Sequence, residues 1–296
     1  MDALFNRRPP SLWDRFSENP LVLLARIAYN CTTRGLVAPT VTGTPIRVVC
    51  VSDTHNRHDE LPPVPAGDIL IHSGDLTVSG TPQELRSVLQ WLSDHPHPYK
   101  IFIAGNHDKA LDATPEALST LLTDFPSLIF LNESSTTLTI HDRTLRIYGS
   151  PLTPTHGSWP FQYPRTTPNA GNWTQIPVDT DILITHGPAA LHGDGLWRRG
   201  CTALLDALWK IRPRLHVFGH IHDARGIENV AWSDTQRQYE TICMGDGGWL
   251  ALFSLVWKVV WGWRERGIAQ TTMVNAACVG GGIRDDERRS AIVVDI

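Results

Sequence analysis

Five short motifs carry most of the chemistry open to this chain. They are Asp53-Thr-His55, Gly74-Asp75, Gly105-Asn106-His107-Asp108, Thr185-His186-Gly187 and Gly219-His220-Ile-His222. Their donors are carboxylates, imidazoles and one amide oxygen, with no thiolate among them. Such a set suits Mn²⁺, Fe²⁺ or Fe³⁺, Co²⁺ or Zn²⁺ better than a structural thiolate site, and it is large enough for two divalent ions side by side. If Asp53 and Asp75 share a site they also need a cation, because two buried carboxylates repel each other. A lone histidine is usually an ordinary core or surface imidazole. Five of them in these motifs make that reading a minor one.

The elements that must position these residues are legible around them. Ile46-Arg-Val-Val-Cys-Val51 precedes Asp53, Ile69-Leu-Ile71 precedes Asp75, and Ile101-Phe-Ile103 precedes Asn106. Ile182-Leu-Ile184 precedes His186, and Leu215-His-Val-Phe218 precedes His220. Short apolar runs rich in β-branched residues read as strands buried on both faces. The candidate ligands therefore sit just past the carboxyl ends of strands, where open α/β sheets place their sites. Between the runs, Thr81, Pro82 and Glu84 form a helix-start signature for Pro82–His95, with Leu85, Val88, Leu89 and Leu92 as its buried stripe. Thr114-Pro115-Glu116 opens a second helix through Phe125, and Cys201–Ile211 is a third. Leu138–His141 and Leu145–Tyr148 read as a hairpin around Asp142-Arg143, and Ala291–Ile296 as the last strand. Periodicity gives the class α/β and no more.

In order and composition the five motifs resemble the calcineurin-like metallophosphoesterase superfamily. Val51-Ser-Asp-Thr-His55, His72-Ser-Gly-Asp-Leu-Thr77, Gly105-Asn-His-Asp108 and Val217-Phe-Gly-His-Ile-His222 look like the branch of metallophosphoesterase-domain-containing proteins related to class III cyclic nucleotide phosphodiesterases. Tyr148-Gly-Ser-Pro151, Thr185-His-Gly-Pro188 and Val274-Asn-Ala-Ala277 strengthen the likeness. It covers roughly Ile46–Gly226 and Thr271–Ile296, so a catalytic domain is expected over 46–296. Residues 1–45 would then be an N-terminal extension and about 227–270 a Trp-rich insertion.

The resemblance implies a four-layer αββα sandwich with two mixed β-sheets. It implies two metal sites, one with Asp53, His55, Asp75 and His222 and one with Asp75, Asn106, His186 and His220, bridged by Asp75. Two such ions would hold a hydroxide for attack on phosphorus. His107 would be the general acid or a phosphoryl donor. Asp108, next in sequence, either hydrogen-bonds the His107 ring and raises its pKa or is an ordinary turn carboxylate. The expected activity is phosphoester hydrolysis, with small phosphodiesters such as cyclic nucleotides preferred. The alternatives are a phosphomonoesterase on a small metabolite or lipid phosphate, and a non-catalytic, metal-stabilised binding module.

Composition narrows the partners. The chain has 296 residues and a net charge of −4, with no Lys/Arg cluster of the kind that binds a nucleic-acid polymer. A small phosphorylated substrate fits better. Five cysteines, none in a paired spacing, fit reduced thiols and a cytoplasmic location. Leu21–Tyr29 is short, carries Arg26 and follows Asp14 and Glu18, unlike a secretory leader. The Asn-x-Ser/Thr triplets at Asn30, Asn132 and Asn172 are accordingly read as chance.

Three stretches bear on specificity. Gly149–Asn172 is Pro-rich and aromatic, and Trp159 and Phe161 are candidate substrate-wall residues, against a stiff surface loop packing its own aromatics. Arg198 and Arg199 are candidate phosphate grips, against two solvated arginines. Trp249–Trp263 is too short to span a bilayer. It is read first as a buried helix or strand pair, and otherwise as a peripheral membrane contact, a dimer surface or a lid over an apolar substrate.

Overall fold

The apolar runs before the motifs become strands, and their register brings the motifs together. In the computed structural model, which describes residues 11–33, 43–165, 171–195, 199–261, 268–280 and 286–296, the chain divides into two compact units. One comprises Val41–Glu228 and Met273–Ile296, the other Met1–Thr40 and Asn229–Thr272.

The larger unit is built on two mixed sheets. In the first, β1 (Arg47–Val51), β2 (Ile69–His72), β3 (Tyr99–Phe102) and β4 (Leu128–Phe130) run parallel in that order, and β13 (Ile292–Asp295) is antiparallel to β1. The second has the order β11 (Gly226–Ala231), β12 (Gln270–Asn275), β10 (Leu215–Phe218), β9 (Ile182–Thr185), β6 (Arg143–Ser150) and β5 (Ser134–Ile140). β6, β9 and β10 are parallel, and β5 and β6 form the expected hairpin. Its two-residue turn, His141-Asp142, has both φ positive at 50° and 63°, as a primed hairpin turn requires. A small parallel pair, β7 (Thr153–Pro154) with β8 (Gln162–Tyr163), closes the loop after β6.

Alternate side chains of the two sheets interdigitate. Val48, Ile71 and Ile101 of the first share one buried cluster with Ile147, Ile184 and Val217 of the second. The other face of the first sheet, with Val49, Leu70 and Phe102, is covered by Leu85, Val88, Leu89 and Leu92 of the helix Pro82–Asp94. That helix begins with the expected capping box, Thr81 Oγ1 accepting from Glu84 N–H and the Glu84 carboxylate accepting from Thr81 N–H. The helices at Pro115–Thr123 and Thr202–Ile211 also form where expected. Two mixed sheets with flanking helices are the architecture that the resemblance implies.

The smaller unit contains the helices α1 (Leu12–Glu18), α2 (Pro20–Thr33), α6 (Asp234–Met244) and α7 (Trp249–Val260), the three helices of the larger unit being α3 to α5. α2 packs on α6 and α7. The Tyr29 and Tyr239 rings stack at 4.0 Å, and the Tyr29 hydroxyl bonds the Gln236 amide oxygen. The buried reading of the Trp-rich stretch is corrected here. α7 is a helix, but only Leu252 and Leu255 are buried. Apart from the half-buried Val259, its other large apolar residues face outward, because a helix that packs one narrow stripe leaves its remaining hydrophobes on its surface. Gly262 and Trp263 lie outside the described residues.

Candidate metal centre

Strand register sets the geometry. Val51 pairs with His72 and His72 with Phe102, so β1, β2 and β3 end side by side. Asp53, Asp75 and Asn106 lie two to four residues beyond those ends. Ser150 pairs with Thr185 on the second sheet, and His186 follows directly. The loops are laced together by backbone bonds: Asp53 N–H to Gly74 O (2.9 Å), His55 N–H to Asp75 O (3.1 Å) and Gly219 N–H to His186 O (2.9 Å).

The backbone is strained at the candidate ligands. Asp53, His55, Asp75 and His220 all have positive φ, at 52°, 42°, 54° and 67°. Non-glycine residues adopt this left-handed conformation at a cost, and it clusters at functional sites. Two glycines make room for the carboxylates. A Cβ on Gly219 would collide with the Asp53 carboxylate and the Ser52 hydroxyl, and one on Gly105 with Asp75.

Three groups of titratable side chains bring their donor atoms within 4.8 Å of one another: Asp53, His55 and His222; Asp75, His186 and His220; and His55, Asp75 and His107. Asn106 joins the second group, its Oδ1 3.1 Å from His186 Nε2. Asp53 and Asp75 are buried. Asp53 accepts the His220 N–H at 3.0 Å, and its Oδ1 lies 3.2 Å from His222 Nε2. Asp75 Oδ2 lies 3.3 Å from His186 Nε2 and 3.7 Å from His55 Nε2.

The tautomers decide whether this set fits a cation. His186 Nδ1 faces the Ser73 carbonyl at 3.0 Å and His55 Nδ1 the Thr77 carbonyl at 3.1 Å. A carbonyl only accepts, so each Nδ1 carries the proton. The His55 Nε2 lone pair then points at the Asp75 carboxylate, acceptor against acceptor, while His186 Nε2 faces the oxygens of Asp75 and Asn106. A divalent cation between them would turn that opposition into coordination, with each ring oriented by the carbonyl behind it. The residues fit two ions: Asp53, His55, Asp75 and His222 would hold one, Asp75, Asn106, His186 and His220 the other.

The electrostatics agree for the carboxylates, His55 and His220. Burial pushes the Asp53 carboxyl up, but His222 and then His186 outweigh it and hold it below the usual carboxylate range. Asp75 is held well below that range against burial by His186 and His55. Burial pushes His220 down to about 3 and also lowers His55. For His186 burial opposes protonation, yet Asp75 and Asp53 carry it up to about 9. Carboxylates thus stay ionised and His55 and His220 neutral, the states a metal ligand needs, whereas Asp53 raises His222 against burial, and His186 and His222 would each release a proton on binding a cation.

His107 is oriented without Asp108. Its Nδ1 donates to the Val78 carbonyl at 2.7 Å, and its backbone N–H to Asp75 Oδ1 at 2.8 Å. Asp108 therefore corrects the expectation of a ring partner. Its buried carboxylate accepts from Gly105 N–H (2.8 Å), Leu76 N–H (3.1 Å), Thr77 N–H (2.9 Å) and the Thr77 hydroxyl (2.7 Å), tying two ligand loops together. Burial, and then the neighbouring Asp75 charge, push its pKa up.

The loop after β6 reaches this centre. The Trp159 ring lies 4.6 Å from His107, with Lys109 Nζ 5.4 Å from the indole, and the His156 ring lies 4.7 Å from His220. Phe161 instead packs against the apolar cluster under the first sheet. Arg199 is exposed, with no contact to the ligand set among the described residues; Arg198 lies outside them. Sequence reading gave no role to His156, one polar ring among many in its loop, nor to the carbonyls of Ser73, Thr77 and Val78. A carbonyl that orients a ligand carries no side-chain signal.

A sequence model of the family described as calcineurin-like phosphoesterase matches residues 46–224. The whole chain aligns at 45% identity over 307 residues with 29% of an Emericella nidulans protein named probable rhamnogalacturonate lyase C. It is 39% identical over 206 residues to human metallophosphoesterase domain-containing protein 1, covering 61% of this chain and 62% of that protein. The chain thus spans less than two thirds of either relative. Among solved structures, a Thermus thermophilus protein superposes with a TM-score of 0.47 at 13% identity, covering 63% of this chain and 85% of that one.

Proposed function

The chain belongs to the calcineurin-like phosphoesterase family, and on that premise we propose that it is a metal-dependent phosphoester hydrolase whose site cleaves small phosphodiesters, cyclic nucleotides being the first class to examine. The observation that carries this reading is the placement of His107 among the ligands. It groups with His55 and Asp75, and its Nδ1 is committed to Val78. Nε2 is then the atom that can give a proton to a departing alkoxide oxygen, the leaving group that most needs one in a diester.

Divalent ions held by the two ligand sets would supply Lewis-acid charge to the phosphoryl oxygens and activate water. The chain's own residues do the rest. Asp53, Asp75, Asn106 and the four other imidazoles hold and space the ions. The Ser73, Thr77 and Val78 carbonyls fix ring tautomers. Trp159 covers His107 on one side and shields it from bulk water. Asp108 has no part in proton transfer.

A lipid or metabolite monoester is the second reading, and the outward apolar face of α7 is what favours its lipid version. Paired assays separate the two. Purified, Mn²⁺-loaded protein should cleave bis(p-nitrophenyl) phosphate faster than p-nitrophenyl phosphate, and His107→Ala should slow hydrolysis of a 3′,5′-cyclic nucleotide, whose alkoxide leaving group needs a proton, more than that of bis(p-nitrophenyl) phosphate. Preference for the monoester would overturn the diester reading.

A further inference from the structure

α7 reverses the usual pattern of a surface helix. Trp249, Leu250, Phe253, Trp257, Val260 and Trp261 are each between 55% and 87% exposed. At 3.6 residues per turn they fall, with Val256, within one arc of about 140°. No charged or polar residue interrupts that arc. Leu252 and Leu255, on the opposite side, are the residues the helix buries. A contiguous apolar surface of this width marks an interaction site rather than scattered exposed hydrophobes.

We propose that this face docks the protein on the surface of an anionic lipid bilayer, lying in the headgroup region. Three observations select that occupant. The first is the side-chain chemistry. Helix–helix interfaces favour a narrow stripe of Leu, Ile and Val, whereas this face carries three tryptophans. An indole N–H needs a polar partner when its ring is buried, and the boundary between acyl chains and headgroups provides both environments.

Charge complementarity is the second. Lys258 lies beside the apolar arc, and the sequence continues with Arg264 and Arg266 against the single acid Glu265. The segment 249–270 is therefore net positive in a chain whose net charge is −4. A Trp-rich helix followed in sequence by basic residues reads as a candidate to lie in a membrane interface. Length is the third: the 12 residues of α7 span about 18 Å, well short of the roughly 30 Å hydrocarbon core. No helix among the described residues is long and apolar enough to cross a membrane. α7 can lie on a bilayer but cannot traverse one.

The test is vesicle flotation of the full chain, with tryptophan emission recorded in parallel. The vesicles are phosphatidylcholine alone or phosphatidylcholine with phosphatidylserine. The protein should float with the anionic vesicles and less with the neutral ones, with blue-shifted emission. Raising salt should weaken the binding. The combined variant Phe253→Ser, Trp257→Ser, Trp261→Ser should bind about ten-fold more weakly or worse, since three buried apolar side chains are lost. Its hydrolysis of bis(p-nitrophenyl) phosphate, measured without vesicles, should match the parent and so report an intact fold. If the parent stays unbound, or the folded variant floats as well as the parent, the proposal is wrong. A parent that elutes as a dimer, a variant that elutes as a monomer and no flotation by either would assign the face to a second copy of the chain instead.

Discussion

The Trp159 indole lies against the His107 imidazole, ring centroids 4.6 Å apart and planes inclined by 31°. On its other sides His107 meets the edge of His55 at 4.9 Å and the Val78 carbonyl at 2.7 Å. The ring is thus held by three contacts, only one of them a hydrogen bond. Removing the indole should let it turn. Trp159→Ala should lower kcat by about 10- to 100-fold, the range expected when a reacting group is displaced by an ångström. Bound metal should be unchanged, and Trp159→Phe should recover most of the rate. Steady-state kinetics beside metal analysis would check this. A Trp159→Ala enzyme altered in KM alone would instead make the indole a substrate contact.

Ligand assignment separates two further variants. Asp75→Asn removes the charge shared by both ligand sets and should lose metal as well as turnover. His107→Ala should lose turnover and keep its metal. Metal content of the purified proteins is the readout, and full activity in pure Asp75→Asn protein would refute the bridging role.

Gly219 makes a backbone prediction. A Cβ there runs into the Asp53 carboxylate and Ser52, so Gly219→Ala should displace a ligand without changing any ligand's identity. Metal stoichiometry should fall while the far-ultraviolet dichroism spectrum stays that of the parent. Retention of two ions per chain would show that the loop yields more readily than its close contacts imply.

Asp108 is expected to be a matter of stability. Its carboxylate accepts bonds from Gly105, Leu76 and Thr77. Asp108→Ala leaves three buried N–H groups without that partner, at a cost of about 3–5 kcal/mol by the usual penalty for unsatisfied buried donors. Urea unfolding would measure it.

Acid should weaken the fold through His216. Its ring is buried, and Nε2 lies 2.8 Å from the Thr185 hydroxyl. That hydroxyl donates to the Gly187 carbonyl, so Nε2 donates and Nδ1 stays bare. Burial first, and then the His192 charge, push its pKa down to about 3 from the ordinary 6.5. Between those values the unfolded chain takes up a proton that the folded chain refuses. Stability is therefore full above 6.5 and falls as pH drops from 6.5 towards 3. Unfolding free energies at several pH values should show this slope, and His216→Gln should reduce it.

The amino-acid sequence by itself determined the ligand types, their order and their placement at strand ends. Buried parallel strands must be apolar throughout, so Asp53, Asp75, Asn106, His186 and His220 stand out at the points where the chain leaves the sheets. Capping residues made the helix starting at Thr81 equally plain, because the cap and its partner lie three residues apart. Only the tertiary structure decided which neighbour each polar atom meets. Asp108 follows His107 in the chain, yet it binds the loop after β2 while Val78, 29 residues away, takes the imidazole proton. The pairing of the N-terminal helices with those that follow β11 was invisible for the same reason: Tyr29 and Tyr239 stack across more than two hundred residues of sequence. Local patterns report contacts within a few residues, whereas packing is set by whichever surfaces fold against one another. The outward face of α7 shows the limit most clearly, since Trp-rich apolar sequence reads alike whether it is buried or exposed.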